Sequence, residues 1–132
     1  MILENTKCKL RFFSLVWFPL LVYLTVIFLF SARPAIAVGH DKIIHTLVYG
    51  VLGFLSARGL EKSFPTKNKL FLYFIALLFG VLYGASDEWH QSFVPGRDCS
   101  GLDLLADTIG CTLGVTLYGF INFLFRQKPA TW

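Results

Sequence analysis

Charge is what this chain has least of. Asp, Glu, Lys and Arg make up only 15% of its 132 residues, against 55% hydrophobic and 17% aromatic, far from the averages of soluble domains. That scarcity excludes an ordinary water-soluble fold and identifies an integral membrane protein. Cysteine is scarce as well. Cys8 precedes the first apolar run, Cys99 lies in a polar loop and Cys111 falls inside the last run, so no disulfide framework is implied. Cys8, beside a membrane helix, is open to acylation in principle, but an inert thiol is the expected reading. No internal repeat or low-complexity segment is found, which weighs against a transporter built from repeated halves. Nearly all of the chain is needed to cross the membrane, leaving one domain over residues 1–132 and no separate soluble module.

What is present are four apolar runs, and they are continuous rather than alternating, which excludes β-barrel strands. They predict an all-α membrane four-helix bundle with helices near 12–30, 41–57, 70–93 and 103–125. The first run is about 20 residues long, enough to span roughly 30 Å. The second reaches spanning length only if its helix starts near Asp41. The third is expected to run through Phe93 until Val94-Pro95-Gly96 breaks it.

Lysine and arginine set the expected orientation. Lys7, Lys9, Arg11, Arg58, Lys62, Lys67, Lys69, Arg126 and Lys128 fall on one side of the spans; only Arg33, Lys42 and Arg97 fall on the other. Both termini are therefore expected in the cytoplasm, with Glu4 and Glu61 on that side and Asp41, Asp87, Glu88, Asp98, Asp103 and Asp107 at the outer face. Membrane orientation accounts for the net charge of +4, which gives no support to a nucleic-acid partner. A cleaved leader is the alternative for the amino end, with Ala35-Ile36-Ala37 as a small-residue cleavage site. The apolar run is longer than the roughly 7 to 15 residues of a leader core, so a membrane anchor is preferred.

The outer acids need a reason, because one aspartate at a helix centre costs about 2.5 to 3.5 kcal/mol even on the lower scale. Helical spacing places them. Asp41, His45, Tyr49 and Gly53 form one stripe; Gly80, Gly84, Glu88 and Gln91 form a second; Asp103, Asp107, Gly110 and Gly114 form a third. Two of the stripes join acids to small-xxx-small segments, the usual close-packing face of membrane helices, within one chain or between chains of an oligomer. Three helices are thus expected to converge on one outward-facing polar pocket.

Plainer roles exist for several of these residues. Asp41 can cap the second helix, and Ser100-x-x-Asp103 matches a capping box for the fourth. Arg97 suits an interfacial anchor, a partner that neutralises Asp103, or a substrate contact. Trp89 and Phe93 read as interfacial aromatics, and His40 and His90 as surface residues. His45, Glu88, Gln91 and Asp107 resist such readings because none is well placed as a cap. Glu88 near a helix carboxyl end is opposed by the dipole and needs a cation, a proton or a hydrogen-bond donor. Buried carboxylates of this kind serve as general acids and bases.

Taken in order, Asp41-Lys42-x-x-His45, Glu88-x-x-Gln91, Val94-Pro95-Gly96-Arg97, Ser100-x-x-Asp103 and Gly110-x-x-x-Gly114 resemble the VanZ-like membrane proteins. The Phe30-Ser31 to Pro34 ending of the first helix is similar too, so the resemblance covers nearly the whole chain. One departure is that the family pattern usually has asparagine where this chain has Asp107. The resemblance implies cell-envelope biology, the family's namesake being linked to low-level teicoplanin resistance. Sequence groupings also place VanZ-like proteins beside enzymes that exchange lipid head groups, including phosphatidylserine-synthase-like proteins.

By this analogy and by residue chemistry, the pocket is expected to transfer or hydrolyse the head group of a membrane lipid or lipid-linked glycan precursor at the outer face of a bacterial cytoplasmic membrane. The catalytic candidates are His45, Glu88 and Asp107. His45 would move a proton with Asp41 orienting its ring, and Glu88 would act as second acid/base. The substrate-binding candidates are Asp41, Gln91, Arg97, Ser100 and Asp103, with Arg97 holding a phosphate oxygen. A divalent cation shared by Glu88, Asp103 and Asp107 would suit carboxylate oxygens, although no spacing demands one. The rival readings are a non-catalytic binding protein for a lipid head group or glycopeptide and a small transporter or proton-relay subunit with Asp107 as relay.

Overall fold

The computed structural model describes residues 2–33 and 41–126, with side chains described over 11–33 and 41–125. Pro34, the Ala35-Ile36-Ala37 segment, His40 and Lys128 lie outside the described residues, as do the side chains of Glu4, Lys7, Cys8, Lys9 and Arg126.

Among the described residues there are four helices and no strand: α1 (Ile2–Ser31), α2 (Asp41–Ser63), α3 (Lys69–Gln91) and α4 (Gly101–Arg126). Each contains a segment long and apolar enough to cross a membrane. The helices run up and down. At one end Trp17 of α1 donates to Ser63 at the close of α2, and Lys69 at the start of α3 meets Glu61. At the other, Lys42 at the start of α2 meets Asp103 at the start of α4.

The most extensive helix contact is between α2 and α4, while α1 packs on α2 and more lightly on α3. Glycine sets the α2/α4 approach. A Cβ on Gly110 would collide with the Thr46 carbonyl, one on Gly114 with the Gly50 carbonyl, and one on Gly53 with the Cys111 carbonyl. Only a hydrogen fits, so the backbones meet directly. The small-residue faces of the three predicted stripes are thereby filled by contacts within this chain. Between the bundle's two ends the interior is apolar, with Leu52, Ala57, Ala76 and Cys111 fully buried.

Three helices depart from the expected bounds. α1 begins about ten residues earlier because the polar turn carrying Lys7, Lys9 and Arg11 continues the helix beyond the apolar run. α2 continues past Ala57, so Arg58, Glu61 and Lys62 are helical rather than loop residues. Pro19 lies inside α1 and lacks the N–H that would bond the Leu15 carbonyl. The Arg58 guanidinium donates to the Leu15 carbonyl at 3.3 Å and to that of Val16 at 3.4 Å, which draws the last turns of α2 against α1. α3 stops at Gln91, two residues short of Phe93. There the Ser92 and Val94 N–H groups fold back onto the Glu88 and Gln91 carbonyls, and Gly96 turns the chain at φ 80°, a region that favours glycine.

A polar site behind a membrane-level cavity

The three predicted stripes do converge. Glu88 and Gln91 of α3, and Asp103 and Asp107 of α4, are buried, and His45 of α2 is half-buried against them. They surround one contact: His45 Nδ1 and Asp107 Oδ1 lie 2.8 Å apart. That spacing suits an imidazole N–H donating to a carboxylate, and equally two ligands of one cation. Asp41 Oδ1 stands 4.0 Å from His45 Nε2. The expected ring-orienting role of Asp41 thus falls to Asp107, which holds the other nitrogen. The fully buried Asp107 has the imidazole as its partner.

Glu88 corrects a second expectation. Its Oε2 accepts the backbone N–H of Ser100, the residue just ahead of α4, at 2.8 Å. In the predicted capping box that N–H would go to Asp103. Asp103 instead takes Lys42 Nζ at 2.8 Å, so Glu88 caps the approach to α4 across the bundle. Placing a donor at Glu88 also answers the opposition of the α3 dipole. Because Lys42 neutralises Asp103, Arg97 does not. Arg97 donates from Nη1 to Gln91 Oε1 at 3.0 Å and from Nε to the Arg33 carbonyl at 2.8 Å, while Gln91 Nε2 donates to Asp87 Oδ2 at 2.9 Å. Arg97, Gln91 and Asp87 therefore form one polar string.

A cavity of about 240 Å³ opens beside this cluster. Ile27, Phe30, Ser31 and Arg33 line it from α1 and its following turn; Asp41, Ile44, His45, Val48 and Tyr49 from α2; Asp87 and Gln91 from α3; and Arg97 from the turn after α3. The expected site is therefore split. Asp41, His45, Gln91 and Arg97 face the cavity, whereas Glu88, Asp103, Asp107 and the Ser100 amide lie behind them, away from the described lining. The wall is completed by α1 rather than α4, which differs from the three-helix pocket expected from the stripes. His90 departs from its expected surface role. Its ring stacks on Phe28 with centroids 4.8 Å apart, and its Nδ1 lies 3.4 Å from Ser31 Oγ. Trp89 and Phe93 are exposed and packed edge to face, as interfacial aromatics would be.

Three groups at or beside the site were missed: Asp87 and Arg33, which line the cavity, and the exposed Lys42, which pairs with Asp103. Asp87 carried a usable signal, its spacing of four to Gln91. Lys42 sits in the Asp41-Lys42-x-x-His45 motif, but its partner Asp103 is remote in sequence. Arg33 gave no signal, because only the fold of α1 over α2 and α3 brings it to the cavity.

Two groups of possible metal ligands occur among the described residues: Asp41, His45 and Asp103, and His45, Glu88 and Asp107, each offering ligand atoms within 4.8 Å of one another. The trio expected from sequence is thus divided. Asp103 goes with the outer group, and His45 takes its place beside Glu88 and Asp107.

No curated protein and no solved structure matches the chain. The sequence model described as VanZ/LLP1 matches residues 4–122, so nearly all of the four-helix bundle, and with it every residue of the site, lies within that match, and the chain belongs to the VanZ-like family.

Proposed function

We propose that the protein transfers or hydrolyses the head group of a phosphate-bearing membrane lipid or lipid-linked glycan precursor, at the outer face of a bacterial cytoplasmic membrane. The observation that carries this reading is the make-up of the cavity: an apolar wall of Ile27, Phe30, Ile44 and Val48, two arginines, Arg33 and Arg97, and the edge of His45, behind which Glu88 and Asp107 are buried. An acyl or prenyl chain suits the wall, and a phosphate suits the guanidinium donors. Gln91, already bonded to Arg97, positions that guanidinium. His45 is the reacting group at the cavity edge, backed by the buried Asp107 and Glu88. The apolar interior beyond the cavity, filled by Leu52, Ala57, Ala76 and Cys111, favours a head-group site over a conduit. Arg58, Lys62, Lys67 and Lys69 gather at the opposite end of the bundle, and the positive-inside bias then directs the cavity outward.

The test is incubation of the protein in nanodiscs with labelled envelope lipids, beside His45→Ala and Arg97→Gln. Turnover should fall by about 10² to 10⁴-fold in His45→Ala, the usual worth of a reacting acid/base group. Arg97→Gln should raise KM more than it lowers kcat. Lipid binding that survives in both variants, with no turnover of any lipid by the unaltered protein, would sink the enzyme reading in favour of a binding protein.

A further inference from the structure

The buried end of the site has more negative groups than the chain's own cations meet. Asp87, Glu88, Asp103 and Asp107 are all buried there. Lys42 pairs with Asp103, and Gln91 donates to Asp87. Among the described residues, Glu88 is met by the Ser100 amide and Asp107 by the His45 ring. Each uses one carboxylate oxygen in doing so. Among the described residues, the second oxygens, Glu88 Oε1 and Asp107 Oδ2, are buried and accept no hydrogen bond. Exposure of the two residues is 2% and 0%. A buried carboxylate oxygen with no donor is strongly disfavoured and calls for a positive group.

We propose that His45, Glu88 and Asp107 bind one divalent transition-metal cation, zinc or manganese, in the buried cluster behind the His45 edge of the cavity. Ligand atoms of the three residues lie within 4.8 Å of one another, and an ion with bonds of about 2.0 to 2.6 Å bridges atoms up to roughly 5 Å apart. One imidazole nitrogen with two carboxylates suits zinc or manganese better than magnesium or calcium, which prefer oxygen alone. The 2.8 Å between His45 Nδ1 and Asp107 Oδ1 is then the separation of neighbouring ligands on one ion. Three protein ligands leave a coordination position open, as catalytic rather than structural sites do. Glu88 is fixed by the Ser100 amide, and that second contact holds the ligating carboxylate in place. The cation deepens the head-group reading without depending on it, since binding is measured without a lipid.

The test uses the full chain purified in detergent without chelator, with metal content measured by mass spectrometry and binding of added Zn²⁺ and Mn²⁺ followed by calorimetry and thermal unfolding. One equivalent should be found or taken up, and Tm should rise with metal concentration, as for any ligand of the folded state. Glu88→Gln and Asp107→Asn keep side-chain shape and one acceptor oxygen, and each should weaken binding at least tenfold. Histidine ligation is read on the unaltered protein, from the Co²⁺ absorption spectrum or Mn²⁺ resonance, so that it does not depend on the folding of His45→Ala. A folded protein that takes up neither ion at millimolar concentration would overturn the proposal. So would binding that persists in Glu88→Gln but is lost in Asp41→Asn, which would place the ion at the outer group, or lost in His90→Gln. Lipid turnover by metal-free protein overturns the cation and leaves the head-group reading standing; a bound cation with no turnover of any lipid does the reverse.

Discussion

The bundle carries a buried acidic cluster at each end, and the two are built differently. At the end where α2 finishes, Glu61 is 5% exposed. Both its oxygens are met: Oε2 by Tyr73 at 2.6 Å, and Oε1 by Asn122 at 2.5 Å and Lys69 at 2.9 Å. At the end where α2 begins, Glu88 and Asp107 each keep one buried oxygen without a donor among the described residues. A buried acid with both oxygens engaged ties helices together, here α2, α3 and α4 in one contact. A buried acid left incomplete is a liability to the fold, and such liabilities persist where a site needs them. The Glu61 cluster is thus built as a clamp, whereas the His45 cluster is left incomplete in the way the proposed site requires.

The most severe way to break the comparison is to separate both ends at once. Gly114→Leu places a side chain where the Gly50 carbonyl already stands, and that backbone cannot retreat without parting α2 from α4. Loss of more than about 4 kcal/mol is expected, enough to prevent folding; size-exclusion chromatography in detergent should show no monodisperse peak. Next in size is Glu61→Ala, which leaves Lys69 without its carboxylate and Tyr73 and Asn122 without their acceptor. Lys69, its side chain 35% exposed, can turn to water, so the loss comes mainly from the stranded Tyr73 and Asn122 donors, about 1 to 3 kcal/mol, read as lowered thermal stability. Metal uptake by whatever fraction remains folded should be unchanged, and a clamp variant that lost it would erase the distinction between the two ends.

Asp107→Asn tests the distinction from the other side. It removes a buried charge while keeping an acceptor for the His45 ring. In the presence of chelator, stability should be unchanged or higher by about 0.5 to 2 kcal/mol, the pattern of a site that trades stability for function. Turnover should nonetheless collapse. A loss of stability as large as that of Glu61→Ala would make Asp107 a second clamp.

The sequence made one of these ends legible and hid the other. Helical spacing aligned Asp41, His45, Glu88, Gln91, Asp103 and Asp107 with the small residues that pack α2, α3 and α4, because periodicity reports which residues share a face. It could not say that Asp107 rather than Asp41 would hold the ring, since that depends on how two helices 62 positions apart are set against each other. Glu61 was read as a loop acid because hydropathy falls away after Ala57. Its partner Asn122 lies 61 positions on, and a polar residue at the end of an apolar run gives no sign of burial. The α1 wall was hidden for a further reason: the polar contacts between that helix and α2 come from single side chains, Arg58 reaching the carbonyls near Pro19, Trp17 donating to Ser63, and Tyr23 donating to the Val48 carbonyl at 2.9 Å. None of these contacts leaves a periodic trace.

The smallest expected effect belongs to the one full ion pair of the site end. Lys42 and Asp103 are joined at 2.8 Å, but their side chains are 54% and 10% exposed. An exposed lysine contributes little through such a pair, because water screens the charge and ordering the long side chain costs entropy. Removing it in Lys42→Gln leaves Asp103 nearly buried, which would ordinarily cost more. Asp103, however, lies in the first turn of α4, where unpaired backbone N–H groups and the helix dipole already favour a negative charge. The expected effect is therefore a small drop in Tm by thermal unfolding, with metal binding retained, because neither residue belongs to the His45, Glu88 and Asp107 group. A loss as large as that of Glu61→Ala would show that Lys42 holds the whole outer cluster together, and the two ends would then differ in completeness but not in kind.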